Sequence, residues 1–120
     1  MQFGDIVLVR MVDPNGVNEK VRRAVVLTSN EELQRDGPII IAAISGTLPE
    51  ELTADHILLP WHRDGHPRTG LTKRVAVICS WLARVDRDAI ERISGRVPGA
   101  QLKEIAIRTR ELAEKLLGDS

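Results

Sequence analysis

The 120-residue chain has a single cysteine, Cys79, so it cannot close an internal disulfide. A reducing compartment is the expected setting. Because Cys79 lies inside the apolar run VAVICSW, a buried and inert thiol is expected there rather than a nucleophile. Aromatic residues are also scarce, with one Phe, two Trp and no Tyr. That leaves few platforms on which unpaired bases could stack. Net charge is missing as well: seventeen basic and seventeen acidic residues cancel, so no global field draws the protein to nucleic acid or to an anionic membrane. Any polyanion site must be local. No apolar run approaches the roughly 20 residues that cross a bilayer, and the opening MQFGDIVLVR lacks the form of a secretory leader. A cytoplasmic protein with no membrane contact is expected.

Common catalytic signatures are absent too. Ser29, Ser45, Ser80 and Ser94 do not lie in a G-x-S-x-G elbow, and no glycine-rich phosphate loop is present. His62 and His66 are four apart, a spacing that ligates metal on a helix, but Pro60, Gly65, Pro67 and Gly70 break that segment. Neither a metal nor another cofactor is expected. Glu50 and Glu51 read as a solvated loop.

What the chain does have is a succession of short Val- and Ile-rich runs separated by turn-forming clusters, the sequence form of a small β-barrel or sandwich. One domain is expected over residues 1–120, enough to bury about two-thirds of its unfolded surface. Strands are predicted at 5–10, 23–28, 39–45, 56–61 and 74–81. The run IIIAAIS at 39–45 is continuous rather than alternating, which predicts cover on both faces. The polar SNEELQRDG, 29–37, is expected to be a loop, and DRDAIERIS, 86–94, a short helical turn. From about residue 100 the period becomes helical: Leu102, Ile105, Thr109, Leu112 and Leu116 line one face of an amphipathic helix to about 117. The barrel is expected to occupy about 1–85.

Cations gather on the connections. Lys20, Arg22 and Arg23 stand near one, while His62, Arg63, His66, Arg68, Lys73 and Arg74 stand near another. A barrel that joins the two connections predicts a basic groove suited to a phosphate backbone, with affinity that falls as salt rises. Exposed cations at strand ends also serve simply to discourage edge pairing, and that role stays open for Arg22 and Arg23.

The series GDIVLVR, RRAVVLTSN, IIIAAIS and TGLTKRVAVICSWLARVD, followed by an amphipathic helix, resembles the MazF/PemK family of toxin ribonucleases over nearly the whole chain. The resemblance implies an SH3-like barrel with a C-terminal helix, mainly β, assembled as a homodimer. It implies metal-independent cleavage of single-stranded RNA through attack of a ribose 2′-hydroxyl, and a small antitoxin protein as partner. The family's R-P-A-V-V step falls on Arg22 to Val26, which implies that Arg22 is the catalytic cation. The hydroxyl residue after AAI falls on Ser45, implied to donate a hydrogen bond to a nonbridging oxygen. Lys20, Arg23, His62, Arg63, His66, Arg68, Lys73 and Arg74 are then the RNA-binding candidates.

Departures from that pattern are specific. Arg23 stands where the family commonly has proline; Ile78 and Ser80 replace an Arg and Asp pair; Trp81 and Ala83 stand where Gln and Arg are frequent. Two other readings therefore stay open. One is a non-enzymatic gyrase poison of the CcdB kind on the same fold, although the ending AEKLLGDS lacks that family's tryptophan. The other is a degenerate member that only binds RNA or an antitoxin.

Overall fold

A computed structural model of the chain describes residues 1–118, with side chains through Lys115. Six strands form, β1 (Asp5–Met11), β2 (Lys20–Val26), β3 (Ile39–Ser45), β4 (His56–Leu58), β5 (Ala76–Val85) and β6 (Ile90–Arg96). A short helix α1 (Asn30–Leu33) separates β2 from β3, and a long one, α2 (Gly99–Gly118), follows β6. The strands make one antiparallel sheet in the order β4-β5-β3-β2-β1-β6.

The expected mainly-β fold with a C-terminal helix is present, but the sheet does not close into a barrel. β4 is three residues long and ends two residues before Pro60, so it offers little backbone to pair with β6. The loop after it takes over. Arg96 N–H donates to the Arg68 carbonyl at 2.9 Å, and the loop lies so close to β6 that a Cβ on Gly95 would meet the Thr69 carbonyl oxygen at 2.0 Å. Glycine is the one residue that permits this approach.

Both faces of the sheet are covered, as the continuous apolar run in β3 predicts. On one face Ile6, Val25, Ala42, Ile44, Val77 and Cys79 pack beneath α2, which contributes Leu102, Ile105 and Leu112. Ile105 is fully buried, which contributes about 1.5–3 kcal/mol to docking of the helix. The side chain of Leu116, the last residue of the expected stripe, lies outside the described residues. On the other face Val7, Val9, Val26, Ile39 and Ile41 pack with Leu33 of α1 and with Trp81. The two clusters exchange parity along β5: Val77 and Cys79 belong to the first, whereas Trp81 and Ala83 pack on the second. A register shift against β3 between Ala42 and Ile44 causes the exchange.

Five segments differ from their sequence expectation. β2 begins at Lys20, not 23, because Met11 already pairs with Lys20, so Arg22 and Arg23 stand inside the ladder opposite Val9 and Leu8. The 29–37 segment is not all loop: the Ser29 hydroxyl accepts from the Glu32 N–H to cap α1, and Leu33 is buried. The segment 86–94 is helical only in the single 3-10 turn Arg87–Ala89, and from Ile90 it is strand, paired with β1. β6 is an edge strand with much of its surface in solvent, so its sequence carries charges instead of apolar alternation. The sheet therefore extends to Arg96 rather than to about 85. β4 and β5 also differ in length, the first stopping at Leu58 and the second running on to Val85. Among the described residues no helix is long and apolar enough to cross a membrane.

Candidate active site

Pairing between β2 and β3 ends at Ala24 opposite Ala43, although β2 starts at Lys20 and β3 runs on to Ser45. Continued, the register would set Arg22 opposite Ser45. The strands leave the ladder there instead, and a groove of about 280 Å³ is lined by Lys20, Arg22, Arg23, Ser45, Thr47 and Lys73.

Arg22 is half-buried and held from three sides. Its Nε donates to the Met11 carbonyl at 3.3 Å and its Nη2 to the Asn18 carbonyl at 2.8 Å. Its guanidinium carbon sits 5.3 Å from the centroid of the Trp81 ring, a cation–π distance. Among the described residues Nη1 makes no hydrogen bond, so that edge of the fork is left for a ligand.

The β1–β2 loop supplies one of these holds. The Asp13 carboxylate accepts from the Asn15 and Val17 N–H groups at 2.9 and 3.1 Å and from Asn18 Nδ2 at 2.8 Å. The Asn18 bond foremost, then that from Val17, keeps the Asp13 pKa below its ordinary value. Asn18 adopts φ +57°, which asparagine tolerates, and its carbonyl thereby reaches Arg22. Across the groove the Ser45 hydroxyl oxygen accepts from the Thr47 N–H at 3.1 Å, and the hydroxyl donates to the Thr47 carbonyl at 3.4 Å, a long bond that a phosphate oxygen in the groove would replace.

Within the described residues the groove cations carry no counter-charge of their own. Arg10, Arg35, Arg96 and Arg108 each pair with a carboxylate. Among the described residues Lys20, Arg22, Arg23 and Lys73 form no ion pair. An array of unneutralised cations on a neutral protein is a local anion site.

The chain matches the model of the PemK-like, MazF-like toxins of type II toxin–antitoxin systems over residues 2–113. It belongs to this family. Solved MazF structures share its fold. MazF from Deinococcus radiodurans superposes with a TM-score of 0.73 at 17% identity, covering 95% of this chain and 96% of that one. The toxin MazF-mt6 of Mycobacterium tuberculosis gives 0.71 at 15%, covering 92% and 96%. A MazE-MazF structure from Deinococcus radiodurans gives 0.70 at 17%, covering 95% and 96%. A search of curated proteins finds no match.

Within this MazF-like frame the sequence-derived residues divide. Lys20, Arg22, Arg23, Ser45 and Lys73 share the groove. Arg74 lines a neighbouring pocket, while His62, Arg63, His66 and Arg68 belong to the loop beside β6. That loop meets the sheet at Gly95, which is level with Ile6 and so with Val25, three residues along β2 from Arg22 and two strands across the sheet from it. Of the second connection only Lys73 reaches the groove, while the 62–70 loop packs on β6, a strand hidden in the sequence. The histidine rings are occupied locally: His62 Nδ1 accepts from the Asp64 N–H at 3.1 Å, and His66 Nδ1 from Arg68 and Thr69 at 3.1 and 3.2 Å. Among the described residues no three potential ligands gather as a metal site.

Trp81, Asp13 and Asn18 escape a residue-by-residue reading of the sequence. The DPNG turn announces a structured loop but not which carbonyl it presents to Arg22. Trp81 marks only a departure from the family pattern, and its stacking partner lies on a strand distant in sequence.

Proposed function

We propose that this toxin is a metal-independent endoribonuclease that cleaves single-stranded RNA. The observation that supports the reading is Arg22 and Ser45 on the two walls of one groove, surrounded by cations without carboxylate partners. The ribose 2′-oxygen attacks the adjacent phosphorus, the bond to the 5′-oxygen breaks, and the products are a 2′,3′-cyclic phosphate and a 5′-hydroxyl. Arg22 Nη1 and the Ser45 hydroxyl donate to the nonbridging oxygens, whose charge grows as the phosphorane forms. Arg22 also guides the 2′-proton toward solvent, and water returns a proton to the leaving oxygen. Lys20, Arg23 and Lys73 hold the flanking phosphates.

The partner in this reading is a small antitoxin with a disordered acidic segment that folds along the groove and blocks RNA. MazE-MazF structures among the neighbours favour such a partner, and the shared fold favours a homodimer acting in the cytoplasm, where messenger RNA is found. Purified protein incubated with long single-stranded RNA in EDTA, beside Arg22→Ala and Ser45→Ala, tests the chemistry. Discrete cuts with cyclic phosphate ends, lost with Arg22→Ala and weakened with Ser45→Ala, are expected. Intact RNA from folded protein, or equal cleavage by both variants, would overturn it.

A further inference from the structure

Beyond the groove, one surface combines an open aromatic face with unpaired polar groups. Trp61 follows Pro60 just past β4 and is 47% exposed. With Leu58, Arg74 and Gln101 it lines a pocket of about 430 Å³. Its floor is apolar, since Leu58, Leu59 and Pro60 also contribute, and its polar groups are two: the Arg74 guanidinium and the Gln101 amide at the start of α2. Among the described residues Arg74 forms no ion pair, and neither side chain makes a hydrogen bond within the protein. Trp81, the other tryptophan, already has Arg22 on its ring.

Position ties the pocket to the groove. Lys73 and Val75 line the groove while Arg74, between them, lines the pocket, so the segment 73–75 is a common wall. Neighbouring Cα atoms are about 3.8 Å apart, and the chain bends at Lys73 before β5 begins, so Lys73 faces the groove and Arg74 the pocket. Lys73 and Arg74 therefore present two cations on either side of one stretch of backbone, a separation that successive phosphates of one RNA strand can match.

We propose that this pocket receives one unpaired nucleobase of the RNA strand held in the groove. The base stacks on Trp61, its phosphate lies on Arg74, and the Gln101 amide, which carries both a donor and an acceptor, reads its edge. The inference rests on the ribonuclease reading for the identity of the strand. An apolar peptide side chain would use Leu58 and the indole but leave Arg74 and Gln101 without partners, whereas a nucleotide satisfies all of them at once. The pocket is thus a specificity subsite, selecting which base stands beside the cleaved bond.

The test uses a short 2′-O-methyl RNA, which has no free 2′-hydroxyl and cannot be cut, with one abasic position moved along the strand. Wild type, Trp61→Ala and Trp61→Phe are titrated with each version. Trp61→Ala is expected to weaken binding of the intact strand about ten-fold, with Trp61→Phe recovering most of it. One abasic position should cost wild type a similar factor and cost Trp61→Ala nothing, because the two changes remove the same contact. On cleavable RNA, Trp61→Ala should relax the preference at one base and raise KM for the preferred sequence.

If no abasic position distinguishes wild type from Trp61→Ala, the base subsite is overturned, whether or not the protein cuts RNA. It is equally overturned if Trp61→Ala loses affinity only for a protein partner. Coupling on a strand whose cleavable form stays intact would keep the subsite and remove the ribonuclease reading.

Discussion

The guanidinium of Arg22 stacks on the indole of Trp81 with 5.3 Å between its central carbon and the ring centroid, while two of its nitrogens donate to the Met11 and Asn18 carbonyls. The cation is fixed before any ligand arrives, so little ordering cost falls on the binding step. Replacing Trp81 by Leu keeps an apolar residue against the second cluster but removes the ring face. Cation–π contacts contribute about 0.5–2 kcal/mol, so cleavage by Trp81→Leu should fall about three- to thirty-fold, mostly in kcat, with Trp81→Phe between the two. Single-turnover kinetics on one RNA substrate checks this. Equal rates for all three proteins would remove Trp81 from the positioning of Arg22.

Asp13 acts on the same arginine from further away, through Asn18. Its carboxyl has a folded pKa below the ordinary 3.8, so its contribution to the loop is present above that value and is lost as pH falls through the folded pKa. The amide signals of Asn15 and Val17, both donors to Asp13, should shift together with a midpoint below 3.8 in an NMR titration. Asp13→Ala should abolish that transition and lower kcat at neutral pH. Asn18→Gly, which keeps the positive φ and the backbone carbonyl, should retain most of the rate.

Cys79 gives a transition at the other end of the pH scale. Burial foremost, with the Asp55 charge adding and Arg108 opposing, pushes its thiol up to about 11 from an ordinary 9.0. The folded state keeps the proton that the unfolded chain gives up, so stability should decline as pH rises from about 9.0 toward about 11. Urea unfolding across that range, wild type against Cys79→Ala, isolates this contribution by its slope. Folded protein should also resist an aromatic disulfide reagent at pH near 8, with the thiol reacting once the chain is unfolded.

Gly95 is the point where the 62–70 loop meets β6. A methyl group there would collide with the Thr69 backbone, which has no flexible end to move aside. Gly95→Ala should cost about 3 kcal/mol in urea unfolding, at the upper end for overpacking. Gly16→Ala, where a Cβ meets nothing within 4 Å but φ is +78°, should cost only about 1 kcal/mol.

How far the sequence discloses this protein depends on which kind of order each residue reports. β1 and β3 are legible because their apolar side chains are buried on both faces, and α2 because its stripe repeats at helical spacing over a buried Ile105. β6 is not, since an edge strand exposing Glu91, Arg92 and Ile93 satisfies no burial pattern. Missing β6 leaves the 62–70 loop without its partner, and that is why the sequence alone groups its cations with Arg22. The groove itself is half legible. Arg22 and Ser45 follow from resemblance to the MazF/PemK family, but their facing arrangement depends on where the β2–β3 ladder ends, a property of register that no local motif carries. Trp81 is displaced onto the second face by the irregular pairing of β5 with β3, which is equally silent in the sequence.

The common wall formed by Lys73, Arg74 and Val75 also bears on how such a toxin can diverge. Changes at Trp61 and Gln101 touch one side of the wall and leave Arg22 and Ser45 alone, so under the proposed base subsite the preferred sequence can drift while turnover is preserved. Changes within the wall alter both sides together. A lineage acquiring a new target would therefore accumulate substitutions beyond β4 and at the head of α2 first, and a designer seeking an altered cutter would randomise those same positions before any in the groove.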